Sequence, residues 1–289
     1  MGKITKAVIP AAGFGTRMLP FTKAIPKEMI PIVDKPSIQY IVEEAVASGI
    51  TDILIILSRG KEAVSDHFDR APELEDSLLL KGKSELYEEI VDIANLANIV
   101  FLRQKEVKGL GHAVYQAKSF VGNEPFAVLY GDDVILGEKP VTRQLIKAYD
   151  KYGLASCGVK EVSAEAIQKY SSLKVEPLGG RDYKVLDMIE KPKADQIFSL
   201  FSILGRVLLT PDIFDILRDL PAGAGGEIQL TDAMKLLTLS KGMTAVDFEG
   251  VRYDMGNKCG VLMAAVNEGL KHPQTRDEFK AFLKGLKLD

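Results

Sequence analysis

Through the first two thirds of the chain, unbroken apolar runs alternate with longer stretches in which apolar residues recur every three or four positions. Ala7-Val8-Ile9, Ile53-Leu54-Ile55-Ile56-Leu57, Ile99-Val100-Phe101-Leu102 and Phe126-Ala127-Val128-Leu129-Tyr130 are the runs. A strand with one wet face alternates apolar with polar residues, so unbroken β-branched and large apolar runs predict buried parallel strands. Ser37 to Ser48 and Gly111 to Phe120 carry the helical spacing instead. Strand–helix alternation of this kind predicts a doubly wound, mostly parallel α/β sheet with helices on both faces.

After about Asp150 the pattern changes. Val159 to Val162, Leu173 to Pro177, Tyr183 to Glu190 and Ser202 to Leu209 are short apolar-rich segments bounded by Gly, Pro and charged residues. They predict antiparallel pieces that extend the parallel core into a mixed sheet. Thr231 to Ser240 reads as a helix, and Cys259 to Leu288 as helical with a break near Pro273. The fold class is therefore α/β, a Rossmann-like mixed sheet with a mixed-sheet extension and a helical C-terminus. No repeat or long linker divides the 289 residues. They read as a single domain, 1–289, with halves at about 1–150 and 151–258 and C-terminal helices at about 259–289.

Charge and cysteine content exclude several classes. A formal net charge of −3 offers no broad basic surface for a nucleic-acid backbone. No apolar run approaches the roughly 20 residues needed to span a bilayer, and Met1 to Pro10 is too short in its apolar part for a secretory signal. Cys157 and Cys259 lie far apart and read as reduced thiols. The expected compartment is cytoplasmic.

The segment richest in chemistry follows the first strand: Ala11-Ala12-Gly13-Phe14-Gly15-Thr16-Arg17-Met18-Leu19-Pro20. A Gly-rich turn at a strand's C-terminal end lets backbone N–H groups approach a phosphate, and ligands of open α/β sheets sit at that edge. Arg17 adds a forked cation suited to phosphate oxygens. Gly15-Thr16-Arg17 does not supply the Gly-Lys-Ser/Thr of a P-loop, and Met18 stands where a dinucleotide fingerprint needs a third small residue. An NAD-dependent enzyme is thereby disfavoured.

From Gly13 to Tyr40 the chain resembles the bacterial UTP–glucose-1-phosphate uridylyltransferases almost residue for residue. The carriers are Ala11-Ala12-Gly13-x-Gly15-Thr16-Arg17, Leu19-Pro20, Thr22-Lys23, Pro26-Lys27-Glu28-Met29, Pro31, Lys35-Pro36 and Ile38-Gln39-Tyr40. Further matches are Gln104 with Gly109-Leu110-Gly111-His112-Ala113, Gly131-Asp132-Asp133, Glu190-Lys191-Pro192, Gly226 to Asp232 and Tyr253-Asp254-Met255-Gly256. Together they span about residues 4 to 270. Lys27-Glu28-Met29 separates this group from its thymidylyl and adenylyl relatives.

The resemblance implies transfer of UMP from UTP to glucose 1-phosphate by direct displacement at the α-phosphorus, giving UDP-glucose and pyrophosphate. The first half would then bind nucleotide and the second sugar. Asp132 and Asp254 would hold Mg²⁺, which takes one or two carboxylates plus phosphate oxygens and waters. Arg17 and Lys27 would bind the triphosphate, and Lys191 the sugar phosphate. Glu190 and the backbone at Ser171 would meet the sugar. Ala11, Ala12, Gly13 and Gly15 would wrap the nucleotide, with Glu28, Gln104 and Gly109 around the uracil edge. The family also implies a homodimer or homotetramer. In isolation Asp133 reads as a lesser carboxylate, His112 as a cap or packing residue, and His67 and His272 as surface residues.

Family members usually carry Tyr-Gly where Tyr170-Ser171 stands, and other residues at Leu200 and Val207. Those departures fall on the sugar side, so the uridylyl expectation is firmer than the glucosyl one. The same chemistry on another sugar 1-phosphate or nucleotide, and a non-catalytic homologue, are the competing readings.

Overall fold

Three of the four continuous apolar runs form interior strands of one sheet, and the fourth forms its edge. In the computed structural model, which describes residues 3–287, the chain opens with β1 (Lys6–Pro10) and a short hairpin, β2 (Pro31–Ile32) and β3 (Lys35–Pro36). Next come α1 (Ser37–Ala47), β4 (Asp52–Leu57), α2 (Glu62–Phe68), α3 (Pro72–Leu80), α4 (Ser84–Ala94) and β5 (Asn98–Arg103). Then follow α5 (Leu110–Gln116), α6 (Lys118–Val121), β6 (Phe126–Leu129), β7 (Asp133–Leu136), α7 (Val141–Tyr152) and β8 (Ala155–Glu161). The remainder forms β9 (Ser171–Gly179), β10 (Asp182–Glu190), β11 (Phe201–Leu209), α8 (Asp212–Asp219) and α9 (Leu230–Lys241). It ends with β12 (Met243–Asp247), β13 (Val251–Asp254), α10 (Lys258–Gly269) and α11 (Arg276–Gly285).

Nine strands make one mixed sheet in the order β5-β4-β1-β6-β11-β8-β12-β10-β9. The first four are parallel; β11 runs antiparallel to both β6 and β8, and β10 is antiparallel to β12 and β9. Strands from both halves of the sequence thus share one hydrogen-bonded sheet. Period-two alternation sends Ala7 and Ile9 to one face and Val8 to the other, and splits Ile53, Ile55 and Leu57 from Leu54 and Ile56. Ile38, Ile41 and Leu145, from α1 and α7, cover the first face; Val114, Phe214 and Met234, from α5, α8 and α9, cover the second.

Two expectations need correction. Ile99–Leu102 is not buried on both faces: β5 is an edge strand, and Val100 is 42% exposed because no strand follows it. Gly111 to Phe120 is not one helix. Ala117, at φ −79° and ψ −5°, donates to Val114 three residues back rather than four, which separates α5 from α6. The C-terminal helices flank Pro273 as expected, while Leu288 lies outside the described residues. Helices α2 to α4, α7 and α8 and strands β2, β3, β7, β12 and β13 went unread in the sequence.

One buried ion pair joins the two halves. Arg206 of β11, 1% exposed, sends Nε and Nη2 to Glu44 of α1, at 2.9 Å and 2.6 Å from Oε2. Glu44 Oε1 also accepts from Thr142 Oγ1 at 2.8 Å. Cys157 is buried, Cys259 is exposed, and both are free thiols. Among the described residues no helix is long and apolar enough to cross a membrane.

Candidate active site

The Gly-rich loop leaves β1 at the C-terminal edge of the sheet. Ala11 N–H donates to Ile56 O of β4 at 2.8 Å, which continues the strand pairing one step past Pro10. Gly15 takes the left-handed conformation (φ 67°), and a Cβ there would stand 3.3 Å from Lys27 Cβ, so glycine lets the lysine cross the loop. Beneath the loop Lys61 Nζ donates to Ala11 O at 2.5 Å and to both Glu28 oxygens at 2.8 Å. Glu28 is 0% exposed. Burial pushes its carboxyl up and the Lys61 ammonium down, each against the attraction of its partner. Glu28, expected at the base edge, therefore lies under the loop with both oxygens held by Lys61.

Two carboxylates converge beside this loop. Close contact of β6 with β1 at Gly131, whose Cβ would lie 2.8 Å from Pro10 O, starts the turn that carries Asp132. The β7–β13 ribbon pairs Asp133 with Asp254, and Met255 N–H donates to Asp132 O at 2.8 Å. Asp132 and Asp254 consequently face the same space over Gly256. A Cβ on Gly256 would stand 3.0 Å from Asp254 Oδ1, 3.1 Å from Asp132 Oδ2 and 2.6 Å from Arg17 Nη2. Lys27 Nζ donates to Asp132 Oδ2 at 2.6 Å, and Arg17 approaches Asp132 at 4.0 Å and Asp254 at 3.9 Å. Burial works against the Asp132 charge, yet Lys27 and then Arg17 hold its carboxyl below the ordinary range. Lys27 is likewise held up, against burial, by Asp132 and Glu28.

The donor set fits a small divalent cation. Two carboxylates share one cradle over Gly256, into which Arg17 and Lys27 reach, and among the described residues no group of three or more His, Cys, Asp and Glu is placed to hold a metal. Such a pair suits Mg²⁺, which completes its shell with water and phosphate oxygens, and is too poor in ligands for a closed zinc site. Asp133 has a different place: it is 4% exposed and its Oδ1 accepts from Arg252 Nε at 2.7 Å. Burial raises its carboxyl to about 6, against the pull of Arg252.

The segment expected to meet the base is anchored across the sheet edge. Gly109 has φ 102°, and a Cβ there would lie 2.8 Å from Ile228 O. Gly111 N–H donates to Ile228 O at 2.8 Å, while Ile228 N–H donates to Lys108 O at the same distance. Gln104 is 3% exposed and opens on a cavity of about 350 Å³, which Phe14, Ser58 and Lys105 also line. His112 neither caps nor merely packs: its Nδ1 lies 2.7 Å from Gln104 Nε2.

On the sugar side, Glu190 ends β10 and accepts from Thr231 Oγ1 at 2.8 Å. Burial raises its carboxyl above the ordinary range. Lys191 has φ 47°, pinned by its N–H on Tyr170 O at 2.7 Å, and its side chain is exposed. The Ser171 side chain is turned away from any ligand: its Oγ accepts from Ile203 N–H at 3.1 Å inside the sheet, so only backbone is available there. Val207 is buried in the core, and Leu200 is exposed. His67 and His272 are half-buried and bonded, to Gln39 at 2.8 Å and Asp34 at 3.1 Å, rather than simple surface residues.

Sequence reading missed three residues that support the site. Lys61 holds the loop from below. Tyr170 OH donates to Asp254 Oδ2 at 3.1 Å, and the Arg252 guanidinium lies over the Tyr170 ring, 5.0 Å from its centroid. None of the three carried a signal in the sequence, because each is defined by partners far away along the chain.

Comparison with known proteins agrees with this architecture. The nucleotidyl transferase family model matches residues 6–268. A UTP–glucose-1-phosphate uridylyltransferase 2 from Staphylococcus saprophyticus subsp. saprophyticus is 50% identical over 289 residues, covering 100% of both chains. A UDP-glucose pyrophosphorylase solved with UDP-glucose is 39% identical, covers 93% of this chain and 100% of its own, and superposes with a TM-score of 0.85. A UTP-bound UGPase from Acinetobacter baumannii is 36% identical, covers 99% and 100%, and reaches 0.91. The chain belongs to the nucleotidyl transferase family, in the group of the UTP–glucose-1-phosphate uridylyltransferases.

Proposed function

We propose that this nucleotidyltransferase makes UDP-glucose and pyrophosphate from UTP and glucose 1-phosphate. The observation that carries the reading is the convergence of Arg17 and Lys27 with Asp132 and Asp254 around Gly256, at the mouth of the Gly-rich loop. Relatives about half identical over the full chain are named for that reaction, and one solved relative holds UDP-glucose.

A phosphate oxygen of glucose 1-phosphate attacks the α-phosphorus of UTP, and the bond from that phosphorus to the bridging oxygen of pyrophosphate breaks. No protein nucleophile is required, because both reactants are already anions and the task is to align and neutralise them. Arg17 and Lys27 bind the triphosphate and offset the charge that develops on departing pyrophosphate. The exposed Lys191 ammonium takes the phosphate of the sugar, and Glu190 accepts from sugar hydroxyls. Ala11, Ala12, Gly13 and Gly15 give the nucleotide its backbone contacts, while Gln104 and Gly109 meet the base. Glu28 acts on the base through Lys61 and the Ala11 carbonyl rather than directly. Asp132 and Asp254 hold Mg²⁺, which when bound supplies Lewis-acid charge neutralisation at the phosphate oxygens.

A reaction that consumes free UTP belongs in the cytoplasm. Leu262, Met263 and Phe282 on the last two helices are exposed and apolar, which supports self-association there. Pyrophosphate release with UTP and glucose 1-phosphate, with and without Mg²⁺ and against a panel of nucleotides and sugar phosphates, tests the reading. Fast Mg²⁺-dependent release with this pair is expected. Release with UTP but another sugar phosphate keeps the chemistry and changes the acceptor. No release across the panel defeats the enzymatic reading in favour of a binding homologue.

A further inference from the structure

His112 contacts none of the groups assigned above to phosphate, metal or sugar, yet it touches the one side chain placed at the base. Gln104 is anchored through its backbone, whose N–H donates to Leu57 O at 2.8 Å, and the residue is buried. The amide nitrogen lies 2.7 Å from His112 Nδ1. On the other edge of the ring, His112 Nε2 meets the Gln116 amide nitrogen at 3.2 Å. A neutral imidazole has one donor and one acceptor nitrogen. The shorter contact, to buried Gln104, takes the acceptor; half-exposed Gln116 can turn its oxygen toward Nε2–H. Burial, and then Lys108, hold the ring below the ordinary imidazole range, which favours the neutral form.

With one N–H of its amide committed to His112, Gln104 holds one orientation, and its carbonyl oxygen is the acceptor it offers a ligand. Uracil offers a single donor on its Watson–Crick edge, N3–H, between two carbonyl oxygens. Cytosine has a lone pair at the same position. An acceptor fixed opposite N3 therefore pairs with one base and faces an unpaired acceptor on the other, and leaving buried polar groups unpaired is what makes such sites selective.

We propose that His112 is a positioning residue for base selection, whose Nδ1 holds the Gln104 amide with its oxygen toward N3–H of uracil. The inference rests on the reading that Gln104 faces the nucleobase. Without His112 the amide can reverse and present NH₂, which suits the N3 lone pair of cytosine.

The test is kcat/KM for UTP and for CTP, each with glucose 1-phosphate, in His112→Phe, His112→Asn and Gln104→Leu. His112→Phe is expected to lower the UTP-to-CTP ratio about tenfold, with kcat at saturating UTP changed less. His112→Asn keeps an acceptor near the place of Nδ1 and is expected to restore most of the ratio. A role in packing alone would weaken both nucleotides equally and show no rescue by Asn. That result overturns the proposal, as does an unchanged ratio in His112→Phe when Gln104→Leu collapses it; the base-side reading of Gln104 then stands. If Gln104→Leu also preserves the ratio, that reading falls and the inference with it. Thermal unfolding checks each variant, and His112→Leu carries the same test should His112→Phe not fold.

Discussion

Lys27 Nζ lies 2.6 Å from Asp132 Oδ2, so the lysine proposed for the triphosphate pairs with a carboxylate proposed for the metal. Burial opposes both charges, and each is sustained by the other. Entry of a cation at Asp132 would free the ammonium for phosphate oxygens, which couples the two ligands. Lys27→Met should therefore lower kcat/KM by roughly 10²–10³, the cost of losing one preorganised charge partner of a transition state. It should also tighten Mg²⁺ binding to the nucleotide-free protein, measured by calorimetry, because the competing cation is gone. Near-normal kcat/KM would remove Lys27 from the phosphate site.

Lys191 stands apart from that cluster, on an exposed turn held at φ 47° by its N–H on Tyr170 O. Its assigned partner is the sugar phosphate alone. Lys191→Ala is expected to raise KM for glucose 1-phosphate about 10- to 100-fold, the worth of a charge-assisted hydrogen bond, with KM for UTP little changed. Lys191→Gly should show the same kinetics with equal or higher stability, since glycine accepts that backbone conformation without strain. Equal losses for both substrates would show that the turn, and not the ammonium, matters.

The site was legible where function fixes a residue at a strand end. Gly15 could be singled out because the run Ala7–Ile9 ends at the edge where ligands of open α/β sheets sit, whereas Lys27, Asp132 and Asp254 were named through the resemblance of their motifs to the family. What escaped depends on partners far away in sequence. Lys61 reads as one more surface lysine until Glu28 and Ala11 close over it, and Arg206 as an exposed cation until Glu44 meets it across 162 positions. The expectation for Ser171 concerned its backbone, and the place of its hydroxyl, turned by strand parity toward Ile203, could not be read from the sequence. The edge position of β5 was hidden for the same reason: an apolar run records its own composition and says nothing of how many neighbours it has.

The Arg206–Glu44 pair makes a prediction about stability. Neither side chain reaches water, so removing one partner leaves a buried charge without its counterion. Arg206→Met should destabilise the protein by about 3–5 kcal/mol in urea unfolding. The double variant Arg206→Met with Glu44→Gln should recover much of that loss, because it removes the orphaned charge as well. Arg206 Nη1 also donates to Asp133 O at 2.9 Å, so the single variant should weaken activity through the adjoining Asp132. Activity that holds while stability falls would confine Arg206 to the core.

Asp133 gives the protein an unusual dependence on pH. Its carboxyl is raised to about 6 by burial, although Arg252 Nε sits 2.7 Å away and works in the other direction. An acid raised on folding binds its proton more tightly in the native state than in the unfolded chain. Its contribution is therefore most favourable below the unfolded value of about 4, and is lost as pH rises through about 6. The shift of about two units corresponds to roughly 3 kcal/mol across that window. Asp133→Asn keeps the shape but cannot ionise. Relative to this variant, the wild-type protein should be most stable near pH 4 and lose that advantage by pH 7, measured as the difference in Tm over the range. A constant difference would mean that Asp133 titrates as an ordinary carboxylate, and that Arg252 fully offsets its burial.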